Sequence, residues 1–190
     1  MAVRNFPRGL MQPISAAEPS YDTRTIWFHW LTAGLIALQW IGAKTIDMWP
    51  RGALQVDATS VHITGGVLLG LIVIARLVWR FSGGRRLVQA DHGLLQVLAR
   101  VVHWGLYLLI LTVVGLGIAM LSQRSTSYFN LFMLPALASG TRAGFRSYHG
   151  IHGLLANTIL IVAFGHAAAA IAHQYIFKDG VLTRMIPGLR

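Results

Sequence analysis

The chain has 190 residues, of which 55% are hydrophobic and only 12% charged, with a mean hydropathy of +0.58. That balance excludes an ordinary water-soluble domain. There is no cysteine, which excludes disulfides, iron–sulfur clusters, thiolate zinc sites and thioether-attached haem, so any metal must be held by His, Met or oxygen. The formal charge of +10 would suit nucleic acid, but the basic residues sit between apolar runs, and no nucleic-acid partner is expected.

In chain order, residues 1–21 carry no apolar core and read as a cytoplasmic tail rather than a cleavable signal. A helix start is expected at Asp22 or Thr23. Residues 22–190 read as one domain with four apolar runs, at 26–43, 61–79, 101–121 and 151–173. Each approaches the roughly 20 residues that a bilayer crossing needs. The fold class is therefore all-α: an integral membrane bundle of four helices running up-down-up-down.

The first outer connection, 44–60, contains Pro50 and Gly52 and reads as a loop. The inner connection joins Gly83-Gly84 to Arg85-Arg86, which suits lipid headgroups, and the third helix is expected to begin early with Asp91 as its cap. The outer connection 122–147 has no periodic pattern and is broken by Pro135 and Gly140. No repeat of domain-building length appears. Trp27, Trp30, Trp49, Trp79, Tyr128, Tyr148 and Tyr175 fall near the run boundaries, as an interfacial aromatic belt would.

Lys and Arg are unevenly divided. Arg4, Arg8, Arg24, Arg76, Arg80, Arg85, Arg86, Arg100, Lys178, Arg184 and Arg190 belong to one side, and Lys44, Arg51, Arg124, Arg142 and Arg146 to the other. The positive-inside rule then places both termini in the cytoplasm.

Ionisable residues inside a bilayer are costly and mark function. His152 and His166 lie 14 residues apart in the last run. At 1.5 Å per residue the second sits about 21 Å deeper. Fourteen steps of about 100° bring both rings to nearly the same face. His62 lies at the outer level of His152, and His29 at the inner level of His166. A flat macrocycle clamped between facing imidazoles at each level makes two b-type haems, with His62/His152 and His29/His166 as axial iron ligands. Gly65, Gly66 and Gly153 would let a haem face approach closely. Arg76 follows His62 by the same 14 residues, so it either meets the inner haem carboxylates or snorkels to the boundary. His103 lines a quinone pocket, bonds a haem carboxylate, or is a plain boundary residue. His173 reads as interfacial, His149 as too far out for the outer level although its short spacing from His152 leaves a swap conceivable, and His92 as facing solvent or headgroups.

At these residues the sequence resembles the bacterial cytochrome b561 family of small four-helix dihaem membrane cytochromes. The resemblance is carried by "IWFHWL", "SVHITGG", "IHGLLANTILIVAFGHAAAAIAHQYIFKDG" and "LTRMIP", and runs from about residue 21 to 187. It implies haem ligands at His29, His62, His152 and His166, residence in the bacterial cytoplasmic (inner) membrane, and superoxide:ubiquinone oxidoreductase activity. Superoxide would be oxidised to dioxygen and ubiquinone reduced. An outer surface carrying Arg124, Arg142 and Arg146 would attract the superoxide anion. Reduction of quinone needs protons, and His103 or His173 is placed to relay them.

Two other readings stay open at this point. The bundle would also serve as a cytochrome b anchor subunit, passing electrons between quinone and a soluble hydrogenase or dehydrogenase. Without haem, its histidines would suit a proton or metal transporter. Gly105, Gly115 and Gly117 on the third run serve packing within the chain or in a homodimer.

Overall fold

The four apolar runs form four helices in a computed structural model, which describes residues 20–85, 87, 93–186 and 188. Residues 1–19, Arg86, Asp91, His92 and Arg190 lie outside these, and with them the tail and the expected Asp91 cap. Helix α1 spans Thr23–Thr45 and ends in a 3-10 turn, Ile46–Met48. Helix α2 spans Ala53–Ser82 and α3 spans Gly93–Ser122. A short hairpin follows, β1 Thr126–Tyr128 and β2 Phe132–Leu134. Helix α4 spans Arg142–Ala172 and continues as a π-helical turn, His173–Phe177. All four helices are long and apolar enough to cross a membrane. The protein is an all-α membrane helical bundle.

Two expected loops are more ordered than their composition suggests. Residues 53–60, read as loop, are the first turns of α2. Polar residues are tolerated there because their hydroxyls bond within the helix: Thr59 donates to the Gln55 carbonyl at 2.8 Å, Ser60 to Val56 at 2.8 Å and Thr64 to Ser60 at 2.7 Å. The chain break falls instead at Gly52, whose φ of 116° suits only glycine.

The connection at residues 122–147 is also patterned; its end of the bundle is labelled outer and the opposite end inner, after the expected orientation. Strands β1 and β2 pair antiparallel, Thr126 opposite Leu134 and Tyr128 opposite Phe132. The hairpin is pinned to α2. Phe129 N–H donates to Ser60 Oγ at 2.8 Å, and Asn130 Nδ2 donates to the Ala53 carbonyl at 3.0 Å and Asp57 Oδ1 at 2.7 Å. The Thr64 hydroxyl, already donating to Ser60, accepts from Tyr128 at 2.7 Å. Residues 53, 57, 60 and 64 make one stripe of α2, and His62 points about 180° away from it. The hairpin thus covers the back of α2 and leaves the His62 face to the bundle.

The buried core sits where α2, α3 and α4 meet, at Leu69, Val73, Tyr107, Ile110 and Ile159. Gly70 permits the close approach of α2 to α3, since a Cβ there would lie 2.9 Å from Val114 Cγ1. Large apolar side chains such as Leu38, Leu71, Leu108, Ile161 and Phe164 are exposed on the outside. In a bilayer those side chains face lipid.

Asp22 ties the inner end together. Its Oδ1 accepts from Thr25 N–H and Trp79 Nε1, both at 3.0 Å; its Oδ2 accepts from Thr25 Oγ1 at 2.6 Å and Arg85 N–H at 3.0 Å. One carboxylate thus caps α1 and grips the end of α2 and the inner connection. The C-terminal segment folds back onto the same end, with Tyr21 N–H donating to the Arg184 carbonyl at 3.1 Å and Trp30 Nε1 to the Met185 carbonyl at 3.0 Å. Burial alone would raise the Asp22 carboxyl above its ordinary value, but the bonds from Thr25, Arg85 and Trp79 outweigh it and hold the group well below. A depressed carboxyl stabilises the fold above the unfolded-state value and loses that contribution as pH falls through the folded one. Asp22→Ala is expected to cost about 1–2 kcal/mol at neutral pH. In detergent, the thermal-midpoint gap between wild type and Asp22→Asn should be widest near pH 7, begin to narrow below about pH 4 and shrink progressively as the pH falls further toward the depressed folded-state value.

Candidate functional site: two histidine pairs facing across the bundle

Helix α4 carries one member of each pair, and α1 and α2 carry the other two. The His62 and His152 ring centres stand 6.2 Å apart with planes at 73°. The His29 and His166 ring centres stand 6.2 Å apart with planes at 71°. The two gaps are equal, and the spacing of His152 from His166 along α4 separates the levels by about 21 Å. His62 and His152 each leave a buried Nδ1 without a hydrogen-bond partner.

The inner level is more crowded. The His103 ring, from α3, lies edge-on to His166 with centres 5.0 Å apart. Its Nδ1 is 2.6 Å from the Ala99 carbonyl. A carbonyl only accepts, so Nδ1 carries the hydrogen and Nε2 keeps a lone pair. Arg76 Nη2 lies 3.1 Å from His29 Nδ1, and the guanidinium also covers the Tyr107 ring at 5.3 Å. Arg76 is half-buried, and its guanidinium is engaged at the inner histidines rather than extended to the boundary. Among the described residues no carboxylate pairs with it.

Several supporting residues carry no signal in the sequence beyond being polar within an apolar run. Gln39 of α1 donates from Nε2 to the His62 carbonyl at 2.8 Å. It fills the space opened by Gly65 and Gly66, where a Cβ would meet the Gln39 side chain at 2.5 and 3.2 Å. Those two glycines therefore admit α1 rather than offering a free face, as was expected of them; Gly153 does keep open space. Trp40 Nε1 donates to Asn157 Oδ1 at 2.9 Å, bracing α1 against α4 between the two levels.

His173 lies one further step along the α4 face, at the start of the π turn, with Nδ1 2.5 Å from Asp179 Oδ2. Only a carboxylate six residues on marks it in the sequence. His149 is exposed. At the outer end Arg124 and Arg142 line a cavity of about 220 Å³ with Gln123, Gly140, Thr141 and Phe145.

A membrane bundle that sets imidazoles opposite one another across its interior has the architecture of a b-type membrane cytochrome. Residues 20–188 match the family described as prokaryotic cytochrome b561, and the chain belongs to that family. It is thus a membrane electron-transfer protein of a haem b family. Among similar proteins, "Probable superoxide oxidase CybB" of Yersinia pestis is 30% identical over 176 residues, covering 90% of this chain and 97% of that one. "Cytochrome b562" of Cereibacter sphaeroides is 29% identical over 171 residues, covering 89% and 96%. "Cytochrome b561 homolog 1" of Escherichia coli strain K12 is 27% identical over 174 residues, covering 88% and 97%.

On α3, Gly117 backs the outer pair: a Cβ there would lie 3.5 Å from His152 Cε1, an ordinary contact. Gly117→Ala should therefore leave bound haem per polypeptide unchanged by pyridine haemochrome assay. Gly117→Leu should displace the His152 ring and lower it.

Proposed function

We propose that the protein is a transmembrane dihaem cytochrome that oxidises superoxide to dioxygen and reduces ubiquinone. The observation that carries the haem reading is the pair of equal 6.2 Å gaps between ring centres. A metal–imidazole bond of about 2 Å and about 1 Å more to the ring centre, taken on both sides, sum to about 6 Å. The outer pair supports it as well: with Nδ1 uncommitted at His62 and His152, neither tautomer is fixed, and Nε2 is free to present the lone pair that iron takes. His62 and His152 hold one haem and His29 and His166 the other. Arg76, a cation within the span, serves the carboxylates of the inner one. Bound haem supplies one-electron chemistry at each level.

The substrate reading is supported by the name of the Yersinia pestis relative and by the charge of the outer end. Arg124, Arg142 and Arg146 stand there, Arg142 at the positive N-terminus of α4. Together they draw a small anion inward. Two superoxide anions each give up one electron and leave as dioxygen. One ubiquinone takes both electrons and two protons. His103, with Nε2 open as an acceptor, and His173, held by Asp179, relay the protons. Both termini lie in the cytoplasm of a bacterium with the bundle in its inner membrane, a reading supported by the charge asymmetry along the chain. Residues 22–190 act as one domain. Gly105 and Gly115 keep open space beyond their Cα atoms, a surface on which two copies would pack as a homodimer.

Anaerobic mixing of the purified protein with superoxide should reduce the haem bands, and a ubiquinone analogue should reoxidise them, with no other protein present. A requirement for a soluble dehydrogenase or hydrogenase would favour the anchor role, and a colourless preparation from haem-sufficient cells would refute the haem reading. Replacing Arg124, Arg142 and Arg146 together by Gln should slow reduction by superoxide about tenfold and flatten its dependence on salt. His103→Ala should slow reoxidation by the quinone and change its pH profile; identical rates across pH would remove His103 from the proton path.

A further inference from the structure

The outer and inner pairs differ in what occupies their ring nitrogens. At the outer level the Nδ1 atoms of His62 and His152 have no partner. At the inner level His29 Nδ1 faces Arg76 Nη2 at 3.1 Å. A guanidinium has five N–H donors, no acceptor, and does not lose its proton in proteins. In this bond Arg76 donates and the Nδ1 lone pair accepts. Neutral His29 then carries its hydrogen on Nε2, where no lone pair remains for a metal. His29 is closed at both nitrogens. The neighbouring His103 shows the opposite state, with Nδ1–H on the Ala99 carbonyl and Nε2 open.

For His29 to offer Nε2, the hydrogen must pass to Nδ1. An N–H at Nδ1 cannot face the N–H of Arg76, so the guanidinium must leave. No carboxylate among the described residues stands ready to receive it; its other contact is the face of Tyr107 at 5.3 Å. Haem b brings carboxylates of its own, and a charge-assisted bond to one of them is stronger than a bond to a neutral ring nitrogen.

Resting on the reading of His29 and His166 as the inner pair, we infer that Arg76 is a latch on His29. It holds the imidazole in the tautomer that cannot ligate through Nε2 until a porphyrin carboxylate draws the guanidinium away. Filling of the inner level is thereby made selective for porphyrins that carry free carboxylates, while the outer level has no such requirement. Arg76 is in this sense a positioning residue and acts through His29.

The test uses the full chain purified haem-free from haem-deficient cells. It is titrated in detergent with haem b and, separately, with its dimethyl ester. Wild type should take two equivalents of haem b but only one of the ester, the second ester binding weaker by about tenfold or more. In a His62→Ala background, which leaves the inner level alone, haem b should bind and the ester should not. Adding Arg76→Met should restore ester binding there. Arg76→Lys, which keeps a donor and a charge, should still discriminate. Nitrogen-15 NMR of haem-free wild type should place the His29 hydrogen on Nε2, a readout that needs no variant. Equal binding of two esters by wild type, or a His29 hydrogen on Nδ1, would overturn the latch alone. Fewer than two equivalents of haem b in wild type, or two retained in His29→Ala, would overturn the pair reading and the latch with it.

Discussion

An imidazole nitrogen inside a bilayer has no water to bond, and the surrounding lipid offers neither donor nor acceptor. Four helices here bring five ring systems of this kind, His29, His62, His103, His152 and His166, into the bundle. The structure answers that cost by opposing the rings across equal gaps and by bracing the backbones that carry them. Gln39 holds α1 to α2 beside His62, and Trp40 holds α1 to α4 through Asn157. Gly65 and Gly66 are where side-chain volume was given up so that Gln39 reaches α2, and Gly70 does the same for the approach of α3.

The two ends of the bundle are built differently, which fits a protein that carries electrons from one face toward the other. The outer end has a hairpin pinned along the back of α2 and a basic cavity at the start of α4. The inner end is knotted by Asp22, which joins α1, α2 and the connection after it, and is overlaid by the C-terminal segment. Those ties lie immediately beside His29 and Arg76. Movement of the guanidinium during loading would take place against a fixed frame, because Trp30, next to His29, is held by the Met185 carbonyl.

Much of this was legible in the sequence, because lipid imposes simple rules. The four spans follow from unbroken apolar runs, and the start of α1 was readable at Asp22 or Thr23, though the cap formed by Asp22 was not. The facing of His62 to His152 and of His29 to His166 follows from the 14-residue spacing on α4 and the alternating direction of the helices. What failed to show was short-range polar chemistry. Residues 53–60 look like loop because Gln55, Asp57, Thr59 and Ser60 are polar, yet three hydroxyls on α2 spend their donors on their own helix. The hairpin at 126–134 is too short for alternation to register, and its turn uses Phe129 and Asn130 at positive φ instead of glycine. Gly65 and Gly66 were read as a landing face, but which partner a glycine admits depends on Gln39, a contact that no periodicity encodes.

The central claim is that two iron porphyrins are each held by a pair of imidazoles. The paired rings are close to perpendicular, at 71° and 73°, and crossed axial imidazoles give ferric haem a strongly anisotropic low-spin resonance. Electron paramagnetic resonance of the oxidised, fully loaded protein should therefore show two such signals, one lost in His62→Ala and the other in His166→Ala. A single signal in wild type, or the survival of both signals in either variant, would contradict it.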